Sequence, residues 1–388
     1  MKVKVRAEDF VVKEILDLVP QKDGKYVLAV IKKRNTNTLD VLRDISKRLG
    51  VSLDGISYCG MKDRYSLSFQ YITLPNEKFK PIKAVNYEVE KVGYVDMPLS
   101  RDNLIANYFE ITVRDVSLPD DIVERRISEV IKWGFVNYYD EQRFGSARHG
   151  KGFVVAEIIK RNYEKALKLY IAEYSRYDDK KVKRWKRLVK EKWGKWDESL
   201  IQNSGVYRKI VEFLAGRTPS KNTFKKALSL VDERVKSILI SAYQSYIWNR
   251  VAVKIIEKFY SDSKEDLIVV PYLYGNLLFY RTLYKKEFLV DFEVPAISPK
   301  MKLDDIYADV VTEVLTEEGI GNLSSFKLPL TGWLFRSYRR RLVVFPQDMV
   351  YSIEKDELYP GKRKLKLKFK LPSGSFATVL LKRILKPS

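Results

Sequence analysis

Residues Cys59 to Gln70 read CGMKDRYSLSFQ, and the place of one carboxylate in that stretch decides how the rest of the chain is understood. Apolar or β-branched runs lie on either side, Ile56 to Cys59 and Ser66 to Leu74, so the pattern predicts two strands with Asp63 held in a tight connection between them. Lys62 and Arg64 flank the carboxylate, and neighbouring cations favour its ionised form. An anionic side chain fixed in this way is a candidate nucleophile. Taken alone, the stretch reads as a charged surface hairpin, because structural ion pairs produce the same local pattern.

Outward from this point the chain has an α+β outline. Lys2 to Val5, Phe10 to Ile15 and Lys25 to Lys33 have strand patterns, and Thr38 to Leu49 has the pattern of a helix capped by Asn37 or Thr38 and closed by Gly50. Val85 to Tyr94 and Ile105 to Val116 add strands. Pro119-Asp120-Asp121 opens a helix that runs to Trp133 and stops at Gly134. After Gly152 the pattern turns helical until about Thr316, broken by a β-like stretch from Leu267 to Phe292. The longest helix is expected over Val231 to Tyr260, where Val231, Val235, Ile238, Leu239, Ala242, Tyr246 and Ile247 form an apolar stripe. Strand character returns from about Ser337, at Leu342 to Phe345 and then at Lys364 to Leu371. In that last run Leu365, Leu367, Phe369 and Leu371 alternate with four lysines, which form either a solvated face or the border of an RNA groove.

Composition bounds the function. The 388 residues exceed a typical single domain, and 45% hydrophobic content is ample for packed cores. No apolar run approaches a membrane span, and MKVKVRAEDF lacks the apolar segment of a signal peptide, so a cytoplasmic protein is expected. One cysteine, Cys59, and one histidine, His149, cannot make an internal disulfide or a Cys/His zinc cluster, and they argue against Cys-His catalysis. Scarce Cys, His and Met beside abundant Lys, Glu, Ile and Tyr fit a thermophilic source.

The 72 Lys and Arg against 50 Asp and Glu give a net charge of +22, which calls for a polyanionic partner, nucleic acid first. The segment from Lys160 to Trp196 is the most basic, with 14 basic and 5 acidic residues. Its Val182, Trp185, Val189, Trp193 and Trp196 recur every three or four residues. They are therefore expected in the core, with the lysines on the wet face.

GMKDRYSLSFQ resembles the first signature of the TruD family of RNA pseudouridine synthases, with Gly60, Lys62, Asp63, Arg64, Ser68 and Gln70 in the matching places. NYYDEQRFG, from Asn137 to Gly145, is similar to the second signature, departing from it at Tyr139 and Asp140. SAYQSYIWN, from Ser241 to Asn249, resembles the third. EDFVVKEI at Glu8 to Ile15 and LPSGSFATVLLKRIL at Leu371 to Leu385 also agree with the family's opening and closing blocks. The five blocks together make up 52 of the 388 residues.

The resemblance implies a pseudouridine-synthase-like catalytic domain on a mixed or antiparallel sheet with helices, formed by residues 1–151 and 337–388, and a largely helical inserted TRUD domain at 152–336. It implies isomerisation of a specific uridine to pseudouridine in tRNA, most often position 13 of the D-arm, otherwise position 35 or another RNA. A single Asp serves as covalent catalyst, and no cofactor or metal is needed. Whether that Asp attacks the sugar or the uracil, or assists glycal formation, stays open. tRNA or another structured RNA is the expected partner, without a membrane and with a monomer favoured.

Carried over residue by residue, Asp63 is the nucleophile and Lys4 its basic partner, or Arg6 if the alignment slips by two. Asn137 is the family's amide beside the Asp, and Tyr139 replaces a Phe that packs on the uracil while keeping a stacking face. Asp140 replaces a Gly that often permits backbone Asp reaches with difficulty. Lys62, Arg64, Gln70, Gln142, Arg143, Phe144 and Arg148 are candidate substrate contacts, with local packing the alternative at Gln142, Arg143 and Phe144. SAYQSYIWN is expected to pack more than to touch substrate, and His149 to partner a phosphate or the backbone.

Two other classes remain at this point. A non-catalytic RNA-binding protein on the same scaffold leaves the Lys-Asp-Arg triplet unexplained. A carboxylate glycosidase needs a second acid that the sequence does not offer.

Overall fold

The structure is a computed structural model that describes residues 1–147, 149–175, 178–284, 286–302 and 305–386, leaving out the side chains at 286, 287, 305 and 306. The chain forms two compact units, Met1–Phe135 with the segment from Val344 onward, and Val136–Val343. The division falls at 135/136 and 343/344 rather than at 151/152 and 336/337. The Asn137–Gly145 block makes its hydrogen bonds to the long helix Glu233–Phe259, and so belongs with the second unit.

The first unit is built, among the described residues, on a nine-stranded mixed sheet. Its strands Phe10–Leu16 and Leu67–Pro75 run parallel, with Val11 opposite Leu67 and Lys13 opposite Phe69. Tyr26–Arg34 pairs antiparallel with Leu67–Pro75 on the other side, bringing Arg34 opposite Leu67. Two consequences follow for the 59–66 loop. The segments leading into the two parallel strands arrive at the same end of the sheet, and Tyr26–Arg34 finishes there. The sheet order therefore gathers the Lys4, Lys33 and Asp63 segments at one end.

Local sequence explains the elements. Thr38–Leu49 forms a helix whose Val41, Leu42 and Ile45 are buried, and it ends where Gly50 takes φ 64°, a left-handed conformation that glycine adopts without a side-chain clash. Arg363–Pro372 alternates as its sequence predicts, with Leu365, Leu367, Phe369 and Leu371 at most 1% exposed. On its other face Lys364, Lys366 and Lys370 are paired with Glu354, Glu357 or Asp348. Gln347–Lys355 and the helix Ala377–Leu385 complete the unit.

Two strand expectations change. The extended run expected at Lys2 to Val5 is reduced to one bridge, Lys2 to Arg114, because Lys4 takes φ 63° and interrupts it. The strand expected from Ile56 shortens to Ser57–Tyr58, paired with Ile72 and Thr73, so Asp63 lies in a longer loop than a tight turn.

The second unit is largely helical and carries a hairpin of Leu267–Tyr272 and Gly275–Tyr280. Its longest helix, Glu233–Phe259, spans 27 residues as the apolar stripe predicted. Trp185, Val189 and Trp196 are buried and Trp193 is half-buried, which is the core role expected of them. No helix among the described residues is long and apolar enough to cross a membrane.

Candidate active site

Asp63 is held by its backbone as well as by its side chain. Lys33 Nζ donates to Asp63 O at 2.7 Å and to Thr36 O at 3.0 Å, and Ser66 Oγ donates to Asp63 O at 2.9 Å. One residue earlier, Lys62 N donates to Thr38 Oγ1 at 3.2 Å. Thr38 also donates to Gln70 Oε1 at 3.2 Å, while Gln70 Nε2 donates to Gly60 O. Gly60, Lys62 and Asp63 are thus tied to the strand below and to the first helix, and the loop is stiff despite its length.

The carboxylate itself receives Lys4 Nζ at Oδ2, 2.5 Å away, and the same ammonium lies 4.2 Å from the centre of the Phe10 ring. Among the described residues no hydrogen bond reaches the other oxygen, Oδ1, and the Asp63 side chain is 31% exposed. This is the arrangement a nucleophile needs: one oxygen oriented by a cation, the other open. Lys4, not Arg6, is the basic partner. Its left-handed backbone is costly for a non-glycine residue, and such strain collects at functional sites.

Lys62 has a different role from the one its sequence position implied. Its ammonium is paired with the fully buried Glu14 carboxylate, whose second oxygen accepts from Tyr71 N at 2.7 Å. A buried ammonium so engaged offers nothing to RNA; it anchors the loop. Gln70 is completely buried and is likewise a brace rather than a contact. Arg64 is exposed, with its guanidinium 5.4 Å from the Tyr65 ring centre, and is open to a substrate. Burial raises the neighbouring Cys59 thiol to about 11, so it is no thiolate nucleophile at neutral pH.

Lys33 was not singled out by sequence. Burial lowers its ammonium from 10.5 to about 8, partly opposed by the charge of Asp63. The one available signal is a lysine at an inward position of the strand Tyr26–Arg34, between outward Lys32 and Arg34, and inward lysines are rarely buried without a partner.

The second block is organised within the second unit. Asn137 Oδ1 accepts from Arg340 at 2.7 Å, its carbonyl accepts from Arg340 Nε at 2.8 Å, and its amide nitrogen donates to Arg341 O at 3.3 Å. The Arg340 guanidinium lies 4.1 Å over the Tyr139 ring, which also meets Trp248 edge-on at 5.5 Å. Burial lowers Arg340 from its ordinary range, yet a guanidinium stays charged. Tyr139 donates through its hydroxyl to Tyr338 at 3.1 Å, and its main chain exchanges two hydrogen bonds with Asn249.

SAYQSYIWN therefore supports this block: Asn249 holds Tyr139, Trp248 walls it, and Ser241 and Ser245 accept from Arg143. Gln142 and Arg143 are exposed. Phe144 is fully buried in an aromatic cluster with Phe153 and Tyr274, so it packs and does not reach a substrate. Asp140 has no positive φ, and the strain anticipated from replacing glycine there is absent. His149 accepts at Nδ1 from Lys151 N, the backbone partnership expected, and burial lowers its ionisation. Arg148 lies outside the described residues. Arg340 escaped notice because a run such as RSYRRR reads as surface charge.

Comparison with known proteins places the chain in a family. The family model described as tRNA pseudouridine synthase D (TruD) matches residues 1–384. The chain is 33% identical over 388 residues to a probable tRNA pseudouridine synthase D 2 of Methanocaldococcus jannaschii, covering 99% of this chain and 91% of that protein. It is 31% identical over 395 residues to the tRNA pseudouridine synthase D of Aquifex aeolicus, covering 99% and 98%. The fold is that of a crystal structure titled putative tRNA pseudouridine synthase D from Methanosarcina mazei, at TM-score 0.72 and 24% identity over 99% of this chain and 93% of that one.

The match over nearly the whole chain defines the class, an RNA-modifying isomerase. The chain belongs to the tRNA pseudouridine synthase D family.

Proposed function

We propose that this protein isomerises a uridine of tRNA to pseudouridine with Asp63 as its nucleophile, and that the uridine is position 13 of the D-arm. The observation that carries the reading is the Lys4–Asp63 pair on a stapled loop, with one carboxylate oxygen committed to the ammonium and the other open. In the reaction the bond from C1′ of the ribose to N1 of the uracil breaks, the base turns, and a bond from C1′ to C5 replaces it. A proton is lost from C5 and one is gained at N1, so no oxidant, reductant or cofactor is required.

An anionic oxygen at Asp63 can trap the intermediate covalently between bond breaking and bond making. The Lys4 ammonium, fixed on the other oxygen, keeps that nucleophile oriented when RNA phosphates crowd the surface. Charge agrees with the substrate: +22 draws a polyanion, and exposed Arg64, Gln142 and Arg143 are the proposed contacts. Asn137 and Tyr139 are carried over as residues acting on the same uridine.

The glycosidase alternative loses ground here. Glu14, the carboxylate paired with the adjoining Lys62, is buried and committed to Lys62 and Tyr71, and cannot serve as the second acid.

Incubation with unmodified tRNA transcripts, followed by chemical mapping of pseudouridine, tests the assignment. Wild-type protein is expected to modify one D-arm uridine, and Asp63→Asn to bind the transcript with similar affinity while forming no product. Wild-type turnover in Asp63→Asn would remove the nucleophile from the mechanism, and product elsewhere would redirect the substrate.

A further inference from the structure

The Asp63 loop displays two large apolar side chains to solvent. Met61 is 53% exposed and Tyr65 is 61% exposed, each two residues from Asp63. Single exposed apolar residues are ordinary on any protein surface and need no account. These two differ in setting. The backbone between and beside them is hydrogen-bonded at Gly60, Lys62, Asp63 and Ser66, so neither projects because its loop is slack. The Arg64 guanidinium beside the Tyr65 ring adds a cationic group that a phosphate can approach while the ring enters an apolar space.

An enzyme that acts on a base inside folded RNA must take that base out of its stack. The cost is a few kcal/mol, and the neighbours left behind have lost a stacking partner. Apolar side chains inserted between base steps offset such a loss in other nucleic-acid complexes. A ring and a thioether rigidly displayed beside the nucleophile are suited to that role.

We propose that Tyr65, seconded by Met61, is a wedge that enters the gap vacated by the target uridine and stacks on the base next to it. This rests on the reading of the protein as an enzyme that acts on a uridine in folded RNA. The ligand of the wedge is the neighbouring nucleobase, whatever its identity, because every base offers a face for stacking. Tyr65 acts through the RNA conformation and not on the reacting atoms; it is a positioning residue.

The test compares single-turnover rates on an intact tRNA transcript and on the same transcript with an abasic nucleotide on each side of the target uridine. On intact RNA, Tyr65→Ala is expected to lower the rate on the order of tenfold or more, in keeping with the contribution of base–aromatic stacking. Tyr65→Phe, which keeps the ring, is expected to stay within about twofold, and Met61→Ala to deepen the Tyr65→Ala loss. On the abasic RNA the wild type should act at least as fast as on intact RNA, and Tyr65→Ala should match it.

A thermal melt of each variant separates a folding defect from a wedge defect, and the abasic RNA does so again, since a damaged loop would be slow on both substrates. Tyr65→Ala at wild-type rate on intact RNA, equal fractional loss on both RNAs, or a wild type that fails only on the abasic RNA overturns the wedge. If the wild type modifies neither RNA, the proposed activity itself fails.

Discussion

Lys4 donates from Nζ to Oδ2 of Asp63 at 2.5 Å, joining residues 59 apart in sequence through a lysine in left-handed backbone. Such a conformation costs a non-glycine residue roughly 1–3 kcal/mol, and the fold tolerates it at the point where an ammonium meets the candidate nucleophile.

Function and stability should therefore part company at this position. Lys4→Met, which keeps length without charge, is expected to lower turnover about a hundredfold with little change in tRNA affinity. Lys4→Gly should be as slow and yet no less stable than wild type, because glycine relieves the strained φ. Single-turnover rates and denaturant titrations of both variants check this. A Lys4→Gly protein at wild-type rate would show that the ammonium is not needed.

The second prediction concerns the ion pair beneath the loop. Glu14 and Lys62 are both buried, and removing one member leaves an uncompensated charge, typically costing about 3–5 kcal/mol. Glu14→Gln preserves an acceptor for Tyr71 N but strands the Lys62 ammonium. It is expected to be destabilised by that order and to lose activity. The double variant Glu14→Leu/Lys62→Met should recover much of the stability, since a buried pair replaced by apolar groups is often neutral. Its activity should stay low, because the loop loses its anchor. Equal stability of the single and double variants in denaturant titrations would contradict the pairing.

A third expectation comes from Lys33, whose ammonium burial lowers from 10.5 to about 8. Below pH 8 the folded and unfolded chains both hold this proton, and stability does not vary with pH on its account. Between about pH 8 and 10.5 the unfolded chain binds a proton that the folded chain has released, so its contribution to stability rises with pH across that window. The unfolding free energy of wild type minus that of Lys33→Met should be flat from pH 6 to 7 and climb from pH 8 to 10. Turnover should decline over the same interval as Asp63 loses a positive neighbour. A difference curve flat throughout would mean that Lys33 titrates normally.

How much of this was legible in sequence depends on what each residue's partner is. Thr38–Leu49, Asp120–Trp133 and the alternating Arg363–Pro372 follow from local patterns and appear in the structure nearly residue for residue. Asp63 was identified from its immediate neighbours and from the match to a family block, and Lys4 from the match alone. Lys62 and Gln70 are candidate substrate contacts in sequence because they share a signature block with Asp63. Their partners, Glu14, Thr38 and Gly60, are fixed by which strands lie side by side, and a linear motif carries no information on that. Asn137 to Phe144 shows the same limit: a block similar to a catalytic signature takes its hydrogen bonds from Ser245 and Asn249, about a hundred residues away, and from Arg340, about two hundred away.

Charge gives a fourth prediction. A polyanion bound through phosphates releases counterions, so affinity for tRNA should fall at least tenfold between about 50 and 200 mM salt. The slope should be smaller than the 72 basic residues alone would indicate, because Lys364, Lys366, Lys370, Lys190 and Lys151 already face carboxylates at 2.6–3.4 Å. Exposed Arg64 and Arg143 should each reduce the slope when replaced by Ala. Filter binding at several salt concentrations measures it, and an affinity independent of salt would rule out a phosphate-dominated surface.

The last prediction separates the ring of Tyr139 from its hydroxyl. The hydroxyl donates to Tyr338 at 3.1 Å, a neutral bond worth about 1 kcal/mol, and is also hydrogen-bonded to the Arg340 guanidinium, whereas the ring carries Arg340 on its face and Trp248 at its edge. Tyr139→Phe should stay within a few-fold of wild-type kcat/KM, and Tyr139→Ala should fall much further. Arg340 holds Asn137 with two hydrogen bonds while covering that ring, a planar, two-pronged task that lysine cannot perform. Arg340→Lys is therefore expected to act like a removal of the residue, lowering kcat more than it raises KM, because it disorders Asn137 and Tyr139 while leaving the exposed Arg64 and Gln142 in place. If Arg340→Lys instead raised KM at unchanged kcat, its charge toward RNA would be what matters, and the clamp on Asn137 would be incidental.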